Sequence, residues 1–204
     1  MKIENKELTE TLLTPDEPAP FVILNADAIL PVLLVCDHAS NRFPRSLGTM
    51  GLDYLDRVSH IALDIGANAV AEALADNLGA TAVLCQYSRL IVDCNRNLID
   101  DSAFLECSDG VDVPGNHDLQ ENEKEKRASE IYWPYHNAIK NQIVRLNKHG
   151  IDPVVISIHS FTPVINGNDR EWEIGVLWDK DSVTAKIFLT RLVEAGYVVG
   201  DNKP

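Results

Sequence analysis

The sequence predicts an α/β protein: one domain with a mostly parallel or mixed central sheet and helices on both faces. Three observations predict it. Apolar runs rich in Val, Ile and Leu, without alternation, recur near 32–36, 81–85, 89–93, 153–158 and 173–178, which is the pattern of strands buried on both faces. Segments with helical spacing of apolar residues separate them. Strands alternating with helices of that length require crossover connections and hence mainly parallel pairing. At 204 residues the chain is long enough for one such core and too short to assume two.

Residues 1–20 are charged and include Pro15, Pro18 and Pro20, so they are expected to form an extended or mobile lead-in to a domain over 21–204. The run VLLVC passes directly into the polar stretch DHASNR. A helix is expected over 53–78, where Leu55, Val58, Ile61, Ala62, Ile65, Ala69, Ala73 and Leu74 fall near one face and Gly79 supplies the stop. Strands at 81–85 and 89–93 lead into a long acidic loop, 100–117; loops of that length are usually functional or disordered. A helical region over about 118–149 follows and ends at Gly150. Pro134 should kink or divide it, because proline removes a helix bond and clashes with the preceding turn. A last helix is expected over 182–195, with Gly196 as its end.

The net charge of −13 argues against nucleic acid or an anionic membrane as a partner, since phosphate binding needs clustered Lys and Arg. It leaves room for a small anionic substrate held by one local arginine. No segment approaches the roughly 18 apolar residues of a membrane-spanning helix, and MKIENKELTE lacks the apolar core of a signal peptide. A cytoplasmic location is the expectation. Cys36, Cys85, Cys94 and Cys107 form no C-x-x-C pair and read as reduced thiols.

Three expected strands end in polar clusters: CDHASNR, DCNRN and HSFTP. In a parallel sheet all three reach the same edge, where open α/β sheets build their sites. His38 and His159 are candidate zinc ligands, because a catalytic zinc takes three protein ligands and leaves one position open. Asn41 and Asp64 compete for the third place, and Asp37 and Asn41 also suit simple loop capping. Arg96 has the planar fork that matches a carboxylate, Asn95 adds a neutral donor, and Arg89 offers a second positive charge or a structural pair with Asp93. Cys36 beside His38 is a weaker candidate for a thiol nucleophile.

The segments CDHASNRFP, HIALDIGANAVA, YSRLIVDCNRN, YWPYHNAI and ISIHSFTPV resemble, in that order, the N-formylglutamate amidohydrolase family, from about residue 31 to 178 and more loosely to GDNKP. VDCNRN and SIHS are also similar, more distantly, to segments of zinc carboxypeptidases. The resemblance implies a phosphorylase/hydrolase-like fold and cleavage of N-formyl-L-glutamate to formate and glutamate. It makes His38, Asn41 and His159 metal ligands for zinc. Asn95 and Arg96 would take the substrate carboxylate. Apart from the resemblance, Arg89 and Ser160 are expected as further substrate contacts and Asp64 as a catalytic candidate. A glutamate general base belongs, in the family pattern, on a strand beyond a segment like GDNKP. A carboxyl-terminal portion beyond Pro204 is therefore expected, with Glu171 and Glu173 read as strand-surface residues. A binding protein that keeps Arg96 for an anion and turns nothing over is the alternative reading.

Overall fold

The apolar runs at 32–36 and 81–85 form neighbouring parallel strands in the computed structural model, which describes residues 11–165 and 168–203. Residues 1–10 of the expected lead-in, and Pro204, lie outside the described residues. Two compact units divide the chain, one running to Ser160 and one from Phe161 onward.

The first unit contains, in chain order, β1 (Phe21–Leu24), β2 (Val32–Cys36), α1 (Tyr54–Arg57), α2 (Ala67–Leu78), β3 (Thr81–Cys85), β4 (Cys107–Ser108), β5 (Val111–Asp112), α3 (Glu121–Arg127), α4 (Trp133–Lys148) and β6 (Val154–Ser157). The central sheet has the order β1-β3-β2-β6 and is mixed: β3, β2 and β6 run parallel, and β1 closes one edge antiparallel. Successive residues of β2 point to opposite faces. Leu33 and Val35 join Val83, Ile131, Tyr135 and Ala138 in a core under α4. Leu34 and Cys36 pack with Ala67, Ala71 and Ala75, which line one face of α2 at four-residue spacing and let it approach the sheet closely. Each fully buried leucine contributes about 2–3 kcal/mol relative to exposure.

Several expectations change. The run at 89–93 is not a strand but a buried turn, with Ile91 N bonded to Ser88 O and Arg96 N to Asp93 O. Its carbonyls are satisfied by side chains instead of a ladder: Asn116 donates to Leu90 O at 3.0 Å and Arg127 to Ile91 O at 3.0 Å. A short apolar run signals burial, and periodicity alone cannot distinguish a strand from a packed turn. The helix expected over 53–78 is broken. Asp53 caps the four-residue α1, and residues 58–66 turn inward before Gly66, at φ +83°, opens α2. The region 118–149 is helical from Glu121, and the strain of Pro134 is absorbed in a five-residue π turn, Ala128–Tyr132, just before it. The long acidic loop has structure of its own, a short 3-10 turn at Asp101–Phe104 and the β4–β5 hairpin. Of the lead-in, Leu12 is buried, and the Glu130 carboxylate accepts from the amides of Leu12 and Leu13.

The second unit contains β7 (Val164–Ile165), β8 (Asn168–Asp169), β9 (Ile174–Val176), α5 (Ser182–Glu194) and β10 (Val199–Asp201). The strand expected at 173–178 forms, shorter, as β9. It pairs with β10 in a two-stranded parallel sheet and is no member of the central sheet. α5 lies where expected, with Asp181 capping it through the Thr184 amide. Among the described residues, no helix is long and apolar enough to cross a membrane.

The buried turn supplies a stability prediction. Asn116→Ala leaves the carbonyls of Leu90 and Leu105 without their donor and removes a partner of Arg127. Denaturant unfolding should show a loss of about 2–3 kcal/mol; a loss below about 0.5 kcal/mol would contradict this account of how the turn is held.

Candidate metal centre

Four segments of the first unit meet at the carboxyl ends of β2 and β6. β2 runs directly into Asp37 and His38, and β6 into His159. The inward turn at 58–66 brings Asp64 beside them, its amide bonded to the His38 carbonyl at 3.0 Å. The buried turn after β3 contributes Arg89 and Asp93.

The two imidazoles are mounted alike. His38 Nε2 lies 2.7 Å from Asp93 Oδ1, and His159 Nε2 lies 3.2 Å from Asp37 Oδ2. Each ring therefore turns its Nδ1 to the same carboxylate: His159 Nδ1 is 2.7 Å from Asp64 Oδ2, and His38 Nδ1 is 3.4 Å from Asp64 Oδ1. The ring centroids are 5.1 Å apart. Beyond these contacts, Arg89 donates to Asp93 Oδ2 at 2.8 Å and approaches Asp64 at 3.5 Å. Asp37 accepts from the Tyr135 hydroxyl at 2.8 Å and from Ser157 Oγ at 3.1 Å.

His38 Nδ1 is buried and has no hydrogen-bond partner. An orphan ring nitrogen on a residue only 2 % exposed is costly unless something else takes its lone pair. One atom each from His38, Asp64 and His159 lie within 4.8 Å of one another, a set that could hold a metal ion. Two imidazole nitrogens and a carboxylate oxygen suit zinc, and carboxylates behind ligating histidines are the usual support for such ligands. The residues fit the group.

Electrostatics lead to the same place. Burial opposes charge on His159, but its bonds to Asp37 and Asp64 prevail and push its pKa up to about 9. Burial likewise opposes charge on His38, and Asp64 and Asp93 raise its pKa in spite of it. Asp64 is driven well below the usual carboxylate range: burial works against this, and the two imidazoles outweigh it. Asp37 and Asp93 are also lowered, again against burial, by bonds to the histidines. Three carboxylates thus call for two positive charges beside that of Arg89, which protonation of both imidazoles would supply. One divalent cation with neutral imidazoles gives the same total, so cation and protons compete for one place.

Other expected site residues sit differently. Asn41 donates to the Arg57 carbonyl at 2.8 Å and is taken up there, while Asp64 stands at the rings. Arg89 makes the structural pair with Asp93. Asn95 and Arg96 have exposed side chains, on a segment held by Asp93: Asn95 N bonds Asp93 Oδ1 at 2.8 Å. The Ser160 amide lies 3.4 Å from Asp64 Oδ2. Cys36 is fully buried and its thiol is pushed up to about 12, chiefly by burial, which removes the thiol-nucleophile reading. Glu173 accepts from the Val198 amide at 3.1 Å, and Glu171 is exposed. The sequence reading missed Asp37 as a partner of His159, and also Ser157 and Tyr135. The available signal was Ser157 two residues before His159, the spacing at which extended side chains share a face. A hollow of about 830 Å³ along the acidic loop, with Asp100, Phe104 and Lys124 in its lining, includes none of the centre's residues.

The chain matches the N-formylglutamate amidohydrolase family over residues 30–204. It is similar to the crystal structure of gene product Atu2144 from Agrobacterium tumefaciens, with 42 % identity and a TM-score of 0.91, covering 95 % of this chain and 77 % of that one. A more distant similarity, of fold alone, is to N-formylglutamate amidohydrolase from Ralstonia eutropha JMP134, with 17 % identity and a TM-score of 0.74, covering 92 % and 78 % of the two chains. No curated protein matches the chain.

Zinc titration against a chromogenic chelator tests the centre. One equivalent should bind; His38→Ala should abolish binding, Asp93→Asn should weaken it roughly 10–100-fold by releasing the His38 ring, and Asn41→Ala should leave it unchanged. A loss in Asn41→Ala as large as that in Asp64→Asn would restore asparagine as the third ligand.

Proposed function

Because the chain belongs to the N-formylglutamate amidohydrolase family, we propose that it hydrolyses the amide of an N-formyl amino acid such as N-formyl-L-glutamate, releasing formate and the free amino acid. It is a hydrolase of amide bonds. The observation that carries the reading is the convergence of two Nδ1 atoms, each ring backed by a carboxylate at Nε2, on the carboxylate of Asp64.

In this proposal His38, Asp64 and His159 hold zinc. The chemistry zinc supplies when bound in such a site is polarisation of the substrate carbonyl and a lowered pKa for its water. Asp93 and Asp37 keep the Nε2 protons of the two rings in place and so leave each Nδ1 lone pair for the metal. Arg89 offsets the excess negative charge of Asp64 and Asp93. Asn95 and Arg96 receive the substrate carboxylate, whose charge suits a planar guanidinium. The Asn95 amide is tied to the centre through Asp93 Oδ1, the same oxygen that holds His38. The binding and reacting ends of the substrate would thus be referred to one buried group.

Formate release from N-formyl-L-glutamate by purified, zinc-loaded protein tests the proposal. Arg96→Ala should lower kcat/KM by roughly 10–100-fold, mainly through KM, the scale of one lost charge-assisted contact. Absence of formate from N-formyl-L-glutamate and from other N-formyl amino acids would overturn it.

A further inference from the structure

The segment that carries Asn95 and Arg96 is also gripped by two aromatic residues that the proposed mechanism does not use. Tyr132, the last residue of the π turn, donates its hydroxyl to the Arg96 carbonyl at 3.0 Å. His136, one turn further in α4, holds the Cys94 carbonyl with Nε2 at 2.9 Å. Residues four apart share a helix face, and the two rings touch in a tilted arrangement, with centroids 4.2 Å apart and planes at 49°. The carbonyls on either side of Asn95 are therefore both bonded to one aromatic pair. The amides of the segment are fixed as well: Asp93 takes that of Asn95 through Oδ1 and that of Arg96 through its carbonyl. The Cys94 side chain is buried against Cys85, with the sulfurs 3.8 Å apart.

All this leaves little freedom in the backbone of 94–96, while the side chains of Asn95 and Arg96 are exposed and have no hydrogen-bond partner among the described residues. A rigid backbone presenting two unengaged side chains is what preorganised recognition requires. A backbone carbonyl only accepts, so His136 is held with its proton on Nε2. The π turn that absorbs Pro134 ends at Tyr132, and π turns recur at functional sites.

We propose that Tyr132 and His136 are positioning residues that set the direction of the Asn95–Arg96 pair toward the substrate carboxylate. The proposal rests on the reading of Asn95 and Arg96 given above. Neither residue touches substrate; each acts through a backbone carbonyl. The consequence is specific to a charged substrate, because misdirecting the guanidinium matters only to the group it binds.

The test compares N-formyl-L-glutamate with its uncharged diamide, on the zinc-loaded full chain, by steady-state kinetics and by calorimetric Kd. His136→Ala and Tyr132→Phe should each raise KM and Kd for N-formyl-L-glutamate by roughly three- to tenfold, the worth of one neutral hydrogen bond. They should change kcat by less than about twofold and leave the diamide unaffected. His136→Gln, whose amide can still donate, should recover most of the loss, which a folding defect would not allow. Equal losses on both compounds, or a fall in kcat with KM unchanged, would overturn the positioning role. Arg96→Ala separates the two layers: if it weakens N-formyl-L-glutamate while His136→Ala does not, the clamp alone fails. If wild type and Arg96→Ala bind equally, or wild type binds nothing, the carboxylate reading fails and the clamp with it.

Discussion

Buried charge must be balanced, and at the carboxyl ends of β2 and β6 that requirement organises the first unit. Asp37, Asp64 and Asp93 are all buried, and an isolated carboxylate in such a place costs several kcal/mol. Each therefore has partners beside it: Tyr135, Ser157 and His159 at Asp37, the two imidazoles and Arg89 at Asp64, and His38, Arg89 and the Asn95 amide at Asp93. The carboxylates and their partners come from the carboxyl ends of β2 and β6, from α4 and from the turns at 58–66 and 88–95. Elements that look like separate pieces of a sheet-and-helix scaffold are thus tied at one point. Two protons on the imidazoles or one divalent cation would both satisfy the balance.

Much of this scaffold was legible in the sequence. β2 and β3 came from unalternated apolar runs, because burial on both faces leaves a direct trace in residue order; the run of β6 was read the same way although it forms a half-exposed edge strand, and α5 came from its periodicity and its stop at Gly196. β1 escaped because FVIL is a four-residue edge strand, only partly buried, whose antiparallel pairing with β3 no local signal announces. The buried turn at 88–94 was read as a strand because its apolar residues do face a core. What determines its shape is a set of remote partners, Arg42, Asn116 and Arg127, that a local reading cannot see. The break before α2 was masked by apolar spacing that continues through it.

The site was legible in its residue types more than in its assignments. His38 and His159 were found from their places at strand ends, and Arg89 was seen as a partner for Asp93. The residue types alone left the third position between Asn41 and Asp64, and the family resemblance placed Asn41 there; in the structure Asn41 donates to the Arg57 carbonyl, while the inward turn carries Asp64 to the rings. Asp37 and Tyr135 lie 98 residues apart and meet across the sheet. Such pairing depends on tertiary packing, which leaves no trace in either segment alone. The convergence of three strand ends, on which the sequence reading relied, survives in changed form: two strand ends and two buried turns.

The account stands or falls on the atoms that would hold the metal. Diffraction from zinc-soaked crystals, with anomalous data collected at the zinc edge, tests this most directly. The account predicts one peak per chain, about 2.0–2.2 Å from Nδ1 of His38, Nδ1 of His159 and a carboxylate oxygen of Asp64. A peak bound through Nε2 of either ring, one coordinated by Asn41, or one remote from all three residues would contradict it.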